Sequence, residues 1–165
     1  MDNNEISESS ATTETAFRSL LRVYGMMKRV TEPYFATFGI SGSQWAVLRT
    51  LHHAKAEGVA GLRIGDIGER ILIRPPSVTG VVDRLQRLGL VARETSASDS
   101  RAKQVSLTRA GCELIDRILQ GHGAKIKDVL GGLSRQEQAQ LDLLLGRICS
   151  HLEKMPQYRE ESNVY

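Results

Sequence analysis

The stretch RPPSVTGVVDRLQRLGLVARETSASDSRAKQVSL, from Arg74 to Leu107, leaves few folds open to this chain. Pro75 and Pro76 break whatever precedes them, and Pro76 suits a first helical turn, where its missing amide proton would have no partner anyway. Val78, Val81, Val82, Leu85 and Leu88 then recur as an apolar stripe one helical face wide. Gly89 is placed as the helix stop, with Leu90 positioned to close the turn hydrophobically. The other face carries Ser77, Thr79, Gly80, Asp83, Arg84 and Arg87. Leu90 to Glu94 and Lys103 to Leu107 follow as the arms of a β-hairpin. Its tip, Thr95 to Ala102, has eight residues, more than a tight hairpin needs.

Small hydroxyl residues in a first turn and arginines further along suit a helix lying close to a polyanion. A helix followed by a basic hairpin is the arrangement of a winged helix, in which the helix enters a major groove and the wing reaches the neighbouring minor groove. The DNA-facing candidates are Arg74, Pro76, Ser77, Thr79, Gly80 and Arg84 on the helix, and Asp99, Arg101 and Lys103 on the wing. Hydroxyls serve phosphates and base edges, and small residues permit close approach. The plainer alternatives are ordinary exposed helix residues, an Arg84 paired with Asp83 or Glu94, and a solvated loop arginine at Arg101.

Charge agrees with the first reading. The chain has 22 Lys and Arg against 19 Asp and Glu, a formal charge of +3. From Arg63 to Arg109 there are nine basic and five acidic residues, net +4, so the remainder is net −1. Positive charge gathers on the segment proposed to meet DNA.

Around this stretch the chain reads as helices, giving a mainly α fold with one small β-hairpin. Residues 1–13, polar and acidic without periodicity, are expected to form a disordered tail. A long helix is expected over 14–40, with Phe17, Leu20, Leu21, Tyr24, Met27 and Val30 on one side, interrupted or kinked at Pro33 and ended by Gly39. Ser41-x-x-Gln44 is a capping box opening a second helix through Trp45, Val47, Leu48 and Leu51. A short strand at Leu62–Arg63 and a third helix through Ile64, Ile67 and Ile71 complete a winged region over 41–107. Over 108–155, Thr108 caps a long helix through Leu114, Ile115, Ile118, His122, Ile126, Val129 and Leu130; Gly121 and Gly123 mark a bend or close packing within it. Ser134-x-x-Glu137 caps a last helix carrying Leu141, Leu144, Leu145, Ile148, Leu152 and Met155. Residues 156–165 read as a flexible tail. The terminal helices hold more apolar residues than one small winged domain can cover, which calls for a partner surface. Phe17, Leu21, Leu141, Leu144, Leu145, Ile148 and Leu152 are its candidates.

Cys112 and Cys149 are far apart, outside any C-x-x-C and away from histidines at metal spacing, so they read as buried structural thiols in a reducing cytoplasm. His52, His53, His122 and His151 read as lone surface or core histidines. No metal, cofactor or catalytic group is expected: nucleophile–base pairs, phosphate loops, zinc motifs and carboxylate pairs are all missing. The acidic start does not read as a secretory signal, and no apolar run is long enough to span a membrane, so a cytoplasmic protein is expected.

Four pieces in fixed order carry a resemblance: Val82-Asp83-Arg84-Leu85, Leu88-Gly89-Leu90-Val91, Asp99-x-Arg101-x-Lys103, and Val105-Ser106-Leu107-Thr108-x-x-Gly111. They resemble the winged helix-turn-helix of the MarR family of bacterial transcriptional regulators, and the likeness extends loosely over residues 14–153. The resemblance implies long N- and C-terminal dimerisation helices that interlock around a two-fold axis. It also implies an Arg101 that enters the minor groove, where negative potential favours guanidinium, with Asp99 orienting it by a bidentate pair. Effectors in the family bind between the dimer helices and the winged domain. That junction would be lined here by Tyr24, Met27, Phe38, Trp45 and His52, a mix suited to a small aromatic acid or phenol; the alternative is that these residues simply fill the core.

The function expected is a homodimeric, DNA-binding regulator, a repressor released by a small molecule, on a pseudo-palindromic double-stranded operator. The competing readings are a winged interaction module without DNA binding and a cysteine-based redox regulator. The family's peroxide sensors use a cysteine near the N-terminus, and this chain has none there.

Overall fold

The structure, a computed structural model, describes the backbone of residues 3–72, 75–95 and 103–156, and the side chains of 12–72, 77–94 and 103–156. Six helices and two strands follow in the order α1 (Asn3–Ala36), α2 (Gly42–Ala56), α3 (Ile64–Ile71), α4 (Pro75–Arg87), β1 (Val91–Thr95), β2 (Lys103–Leu107), α5 (Arg109–Leu130) and α6 (Arg135–Leu152). The chain divides into two units, Met1–Gly42 and Ser43–Tyr165.

In the first unit, α1 begins at Asn3, inside the segment expected to be disordered. No proline or glycine precedes Gly25, so nothing in the backbone stops the helix from extending toward the N-terminus. Pro33 does not interrupt the helix either, which runs on to Ala36. Gly39 then ends it in the left-handed region at φ 74°. The Gly39 amide donates to the Ala36 carbonyl and the Ile40 amide to that of Phe35, the double bond of a Schellman turn. Phe35 and Ile40, which this turn brings together, are both buried.

The second unit holds the winged region. Val78, Val82 and Leu85 of α4 are wholly buried, as is Ile67 of α3, so the apolar stripe of α4 faces inward as its spacing predicts. Leu88 is the exception at 53% exposure. It lies beyond the last residue of α4, where the chain is already turning toward Gly89, and is carried off the buried face. β1 and β2 pair antiparallel with Val91 opposite Leu107 and Arg93 opposite Val105. The first arm is thus one residue later than expected, and the tip from 96 to 102 lies outside the described residues. Leu62 adds a bridge on the open side of β2, exchanging two backbone hydrogen bonds with Val105 at 3.0 and 2.8 Å.

One knot ties α4, both roots of the hairpin and α5. Gly89, at φ 70°, closes α4 with its amide on the Gln86 carbonyl and the Leu90 amide on that of Leu85. The Thr108 hydroxyl donates to the Gly89 carbonyl at 2.7 Å and accepts from the Gly111 amide at 3.1 Å, capping α5. The Thr108 amide donates to the Leu90 carbonyl at 3.2 Å. Gly111 is packed so closely on that carbonyl that a Cβ would collide with it. Thr108 and Gly111 are therefore spaced by a contact between elements as well as by a helix cap.

α5 continues through Gly121 and Gly123, and a Cβ at Gly123 would meet open space, so close packing is not the reason for that glycine. α6 opens on the expected box, with the Ser134 amide donating to Glu137 at 2.7 Å and the Glu137 amide to the Ser134 hydroxyl at 3.3 Å. It ends at Leu152 and buries no residue. Gly111→Ala should destabilise the fold by about 1–3 kcal/mol through overpacking. Gly123→Ala should instead stabilise it by up to about 1 kcal/mol, the helix-propensity difference. Urea unfolding followed by circular dichroism separates the two.

Candidate nucleic-acid interface

α3 and α4 form the two helices of a helix-turn-helix. The start of α3 is held by Asp66, whose carboxylate accepts from the Arg63 amide at 3.1 Å. It ends at Leu72, a left-handed residue at φ 55° with 73% of its surface exposed. With the apolar side of α4 buried, its other side presents Ser77 and Arg84 as exposed residues and Thr79 and Gly80 as half-buried ones. A Cβ at Gly80 would touch nothing within 4 Å, so the helix surface is open at that point. Lys103, at the start of β2, is exposed. Of the remaining DNA-facing candidates, Arg74, Asp99 and Arg101 lie outside the described residues, and Pro76 is described only in its backbone, within the first turn of α4.

The alternative partnership of Arg84 with Asp83 does not form. Asp83 instead pairs with Arg93 of β1, Oδ1 to Nη1 at 2.6 Å. The same guanidinium nitrogen donates to Gln86 Oε1 at 3.3 Å. Among the described residues Arg84 makes no ion pair, leaving its cation available on the exposed side of α4. Arg93 and Gln86 were not among the residues the sequence singled out. The available signal was an acid on α4 and a cation on the following strand, joined only through the Gly89 turn.

The residues expected to line an effector junction fall into both units. Tyr24 and Met27 are exposed on α1, and Phe38 is half-buried, with Tyr34 edge-on to it at 5.2 Å. In the second unit Trp45 is buried and His52 half-buried. His122, expected to be isolated, lies with its ring 5.1 Å from that of Trp45. Burial lowers its pKa below the ordinary imidazole value, and the Arg49 cation lowers it further.

The expectation of two buried cysteines needs correcting. Cys149 is exposed, on an α6 that buries no residue, and Cys112 is half-buried, with Lys55 Nζ donating to its sulfur at 3.3 Å. Among the described residues no three His, Cys, Asp or Glu side chains gather in a way that could hold a metal. Among those residues, too, no helix is long and apolar enough to cross a membrane.

The profile of the MarR family matches residues 38–102, which include α2, α3, α4 and β1. The chain is 34% identical over 113 residues to the uncharacterized HTH-type transcriptional regulator YkoM of Bacillus subtilis, covering 68% of this chain and 70% of the relative. It is 30% identical over 132 residues to the HTH-type transcriptional regulator MhqR of the same organism, covering 80% and 88%. The chain belongs to the MarR family. Its fold matches that of a MarR variant from Escherichia coli complexed with operator DNA, at TM-score 0.73 and 23% identity over 79% of this chain and 91% of the other. MarR-family membership makes the protein a winged-helix transcriptional regulator and not an enzyme.

The burial of His122 beside Arg49 yields a pH dependence with a definite sign. An imidazole with a lowered folded pKa contributes stability that is fully present above its unfolded value, about 6.5. That contribution is lost as pH falls through the lower folded value. Unfolding free energy should therefore decline on acidification below about 6.5, with Trp45 emission changing over the same window. His122→Gln should flatten both profiles, as read by urea titrations and fluorescence at stepped pH.

Proposed function

We propose that this MarR-family protein is a homodimeric, sequence-specific DNA-binding repressor. In this reading it lays α4 in a major groove and its wing in the adjacent minor groove. The observation that carries the reading is the exposed side of α4, where Ser77, an open Gly80 and an Arg84 without an ion pair among the described residues stand opposite the buried Val78, Val81, Val82 and Leu85. Small residues let the backbone approach a base edge, and the arginine supplies the cation. Arg101 is assigned to the minor groove by its place in the D-x-R-x-K pattern, with Asp99 orienting it and Lys103 on the flanking phosphate. Arg74 is assigned to the phosphate backbone by its charge, and Pro76, which has no amide proton to offer a phosphate, to the first turn that sets the entry of α4.

Arg101→Ala and Arg84→Ala should each weaken binding to a selected duplex by about 1–3 kcal/mol. The duplex is one recovered from a random pool with the wild-type protein, and the measurement is fluorescence anisotropy across a salt series. Both should also flatten the salt dependence, because a cation near the backbone releases counterions on binding. Unchanged affinity and slope in both variants would overturn the reading.

Support for the dimer comes from the terminal helices. Phe17 and Leu21 on α1 are 62% and 57% exposed, and Leu144 and Ile148 on α6 are 52% and 41% exposed. Leu145 and Leu152 are exposed as well, and Leu141 is half-buried. Apolar surface of that extent on a monomer marks an interaction face. Leu145→Asp should convert a sedimenting dimer to monomer by burying an unpaired charge; a wild-type monomer at micromolar concentration would refute the assembly.

Release by a small aromatic acid or phenol completes the proposal. Its support is the composition of Tyr24, Met27, Phe38, Trp45 and His52, together with a solved organohalide-sensing regulator of the same fold in its 2,4-dichlorophenol-bound form. An effector shifts the DNA equilibrium only by its differential affinity for two states. A compound that quenches Trp45, the sole tryptophan, should release DNA with the same midpoint.

A further inference from the structure

The feature the winged fold leaves unexplained is a carboxylate on the helix that is to meet a polyanion. Asp83 sits in the middle of α4 between Val82 and Arg84. It is 46% exposed, and its partner Arg93 24% exposed. Among the ion pairs between described residues, this arginine is the most shielded charged group; the pairs Arg18–Glu14, Arg109–Glu113 and Lys125–Asp128 are local to one helix and more open. Arg93 Nη1 contacts both Asp83 and Gln86, one turn further along α4. Its backbone lies opposite Val105, which is itself bonded to Leu62. The guanidinium thus joins the middle of α4 to the centre of the small sheet.

We propose that the Asp83–Arg93 pair, braced by Gln86, is a positioning device that sets the stance of the hairpin relative to α4 and thereby the protein's discrimination among DNA sequences. The inference rests on the DNA-binding reading above. Stability is not its main product, because a partly exposed pair contributes little and the fold is held by Val82, Leu85, Val91 and Val105, all nearly inaccessible to solvent. Simultaneous entry into two adjacent grooves makes a stricter demand, since a hairpin rocked against the helix satisfies one groove at the expense of the other. The knot at Gly89 and Thr108 fixes only the roots of the hairpin. Arg93 adds a second point of attachment two residues further along β1 than Val91, and two points define a direction where one does not. The two N–H bonds of Arg93 Nη1, held in the guanidinium plane, serve a carboxylate and an amide together; a lysine offers a point charge without that fixed geometry.

The test compares Asp83→Asn, Arg93→Gln, the double variant and Arg93→Lys. The probes are a duplex selected from a random pool by the wild-type protein and an unrelated duplex of equal length. Each neutralising single variant should lower the preference for the selected duplex about tenfold, and the double variant should be no worse than either single one, because both break the same contact. Arg93→Lys should fall between. Midpoints of urea unfolding should stay at the wild-type value. Hydroxyl-radical footprints should lose the minor-groove protection flanking each half-site, while guanine N7 in the major groove stays protected from methylation by dimethyl sulfate. Additive losses, unchanged preference, or losses that track unfolding midpoints would overturn the proposal. If the wild-type protein selects no duplex at all, the DNA-binding reading falls and takes this inference with it. If it selects one and the variants match it, only the inference falls.

Discussion

The structure depends on a single crowded junction where the Leu90 carbonyl meets Gly111. That contact leaves no room for a side chain at residue 111, and it sets α5 directly against the turn that ends α4. Thr108 completes the junction by using one hydroxyl twice, as donor to Gly89 and as acceptor from Gly111. A helix end, two strand roots and a helix start are therefore held by neighbouring backbone groups, with few rotatable bonds between them. Short connections of this kind transmit position well, because a packed junction deforms little. The geometry of α4 relative to the hairpin is built from this point outward.

Features encoded by neighbouring residues were legible in the sequence. Gly89 as a stop, Thr108 and Ser134 as caps, and the inward stripe of α4 each follow from residue chemistry and helical spacing, and the structure has them, Leu88 of the stripe excepted. The short strand expected at Leu62–Arg63 is present only as an isolated bridge of Leu62 to Val105. Contacts between residues distant in sequence were not legible. Trp45 and His122 sit on α2 and α5, with α3, α4 and both strands between them in the chain, and nothing at either position announces the other. Asp83 and Arg93 are closer in sequence but change from helix to strand between them, so neither helical nor strand periodicity places them together. The start of α1 was misjudged for a different reason. Low hydrophobicity argued against an ordered element there, but the residues before Gly25 contain neither proline nor glycine to break a helix, and the backbone is helical from Asn3.

α1 and α6 have an energetic character opposite to that of the winged region. α6 buries nothing, and α1 leaves Phe17, Val23, Tyr24, Met26 and Val30 more than half exposed. Isolated helices of ordinary composition draw most of their stability from packing, so faces like these need a cover. On the proposed reading that cover is a second copy of the chain, and the same surfaces then fix the distance between two α4 helices. Under that proposal, dimer formation and operator geometry become one property, and an effector would act by changing that distance.

The most direct measurement is methylation interference at guanine N7 on a duplex selected by the wild-type protein, since N7 lies in the major groove where α4 is to bind. The account predicts two patches of interference on one face of the duplex, related by a pseudo-two-fold axis and centred about one helical turn apart, roughly 34–36 Å. A single patch, or binding indifferent to N7 methylation, would contradict it.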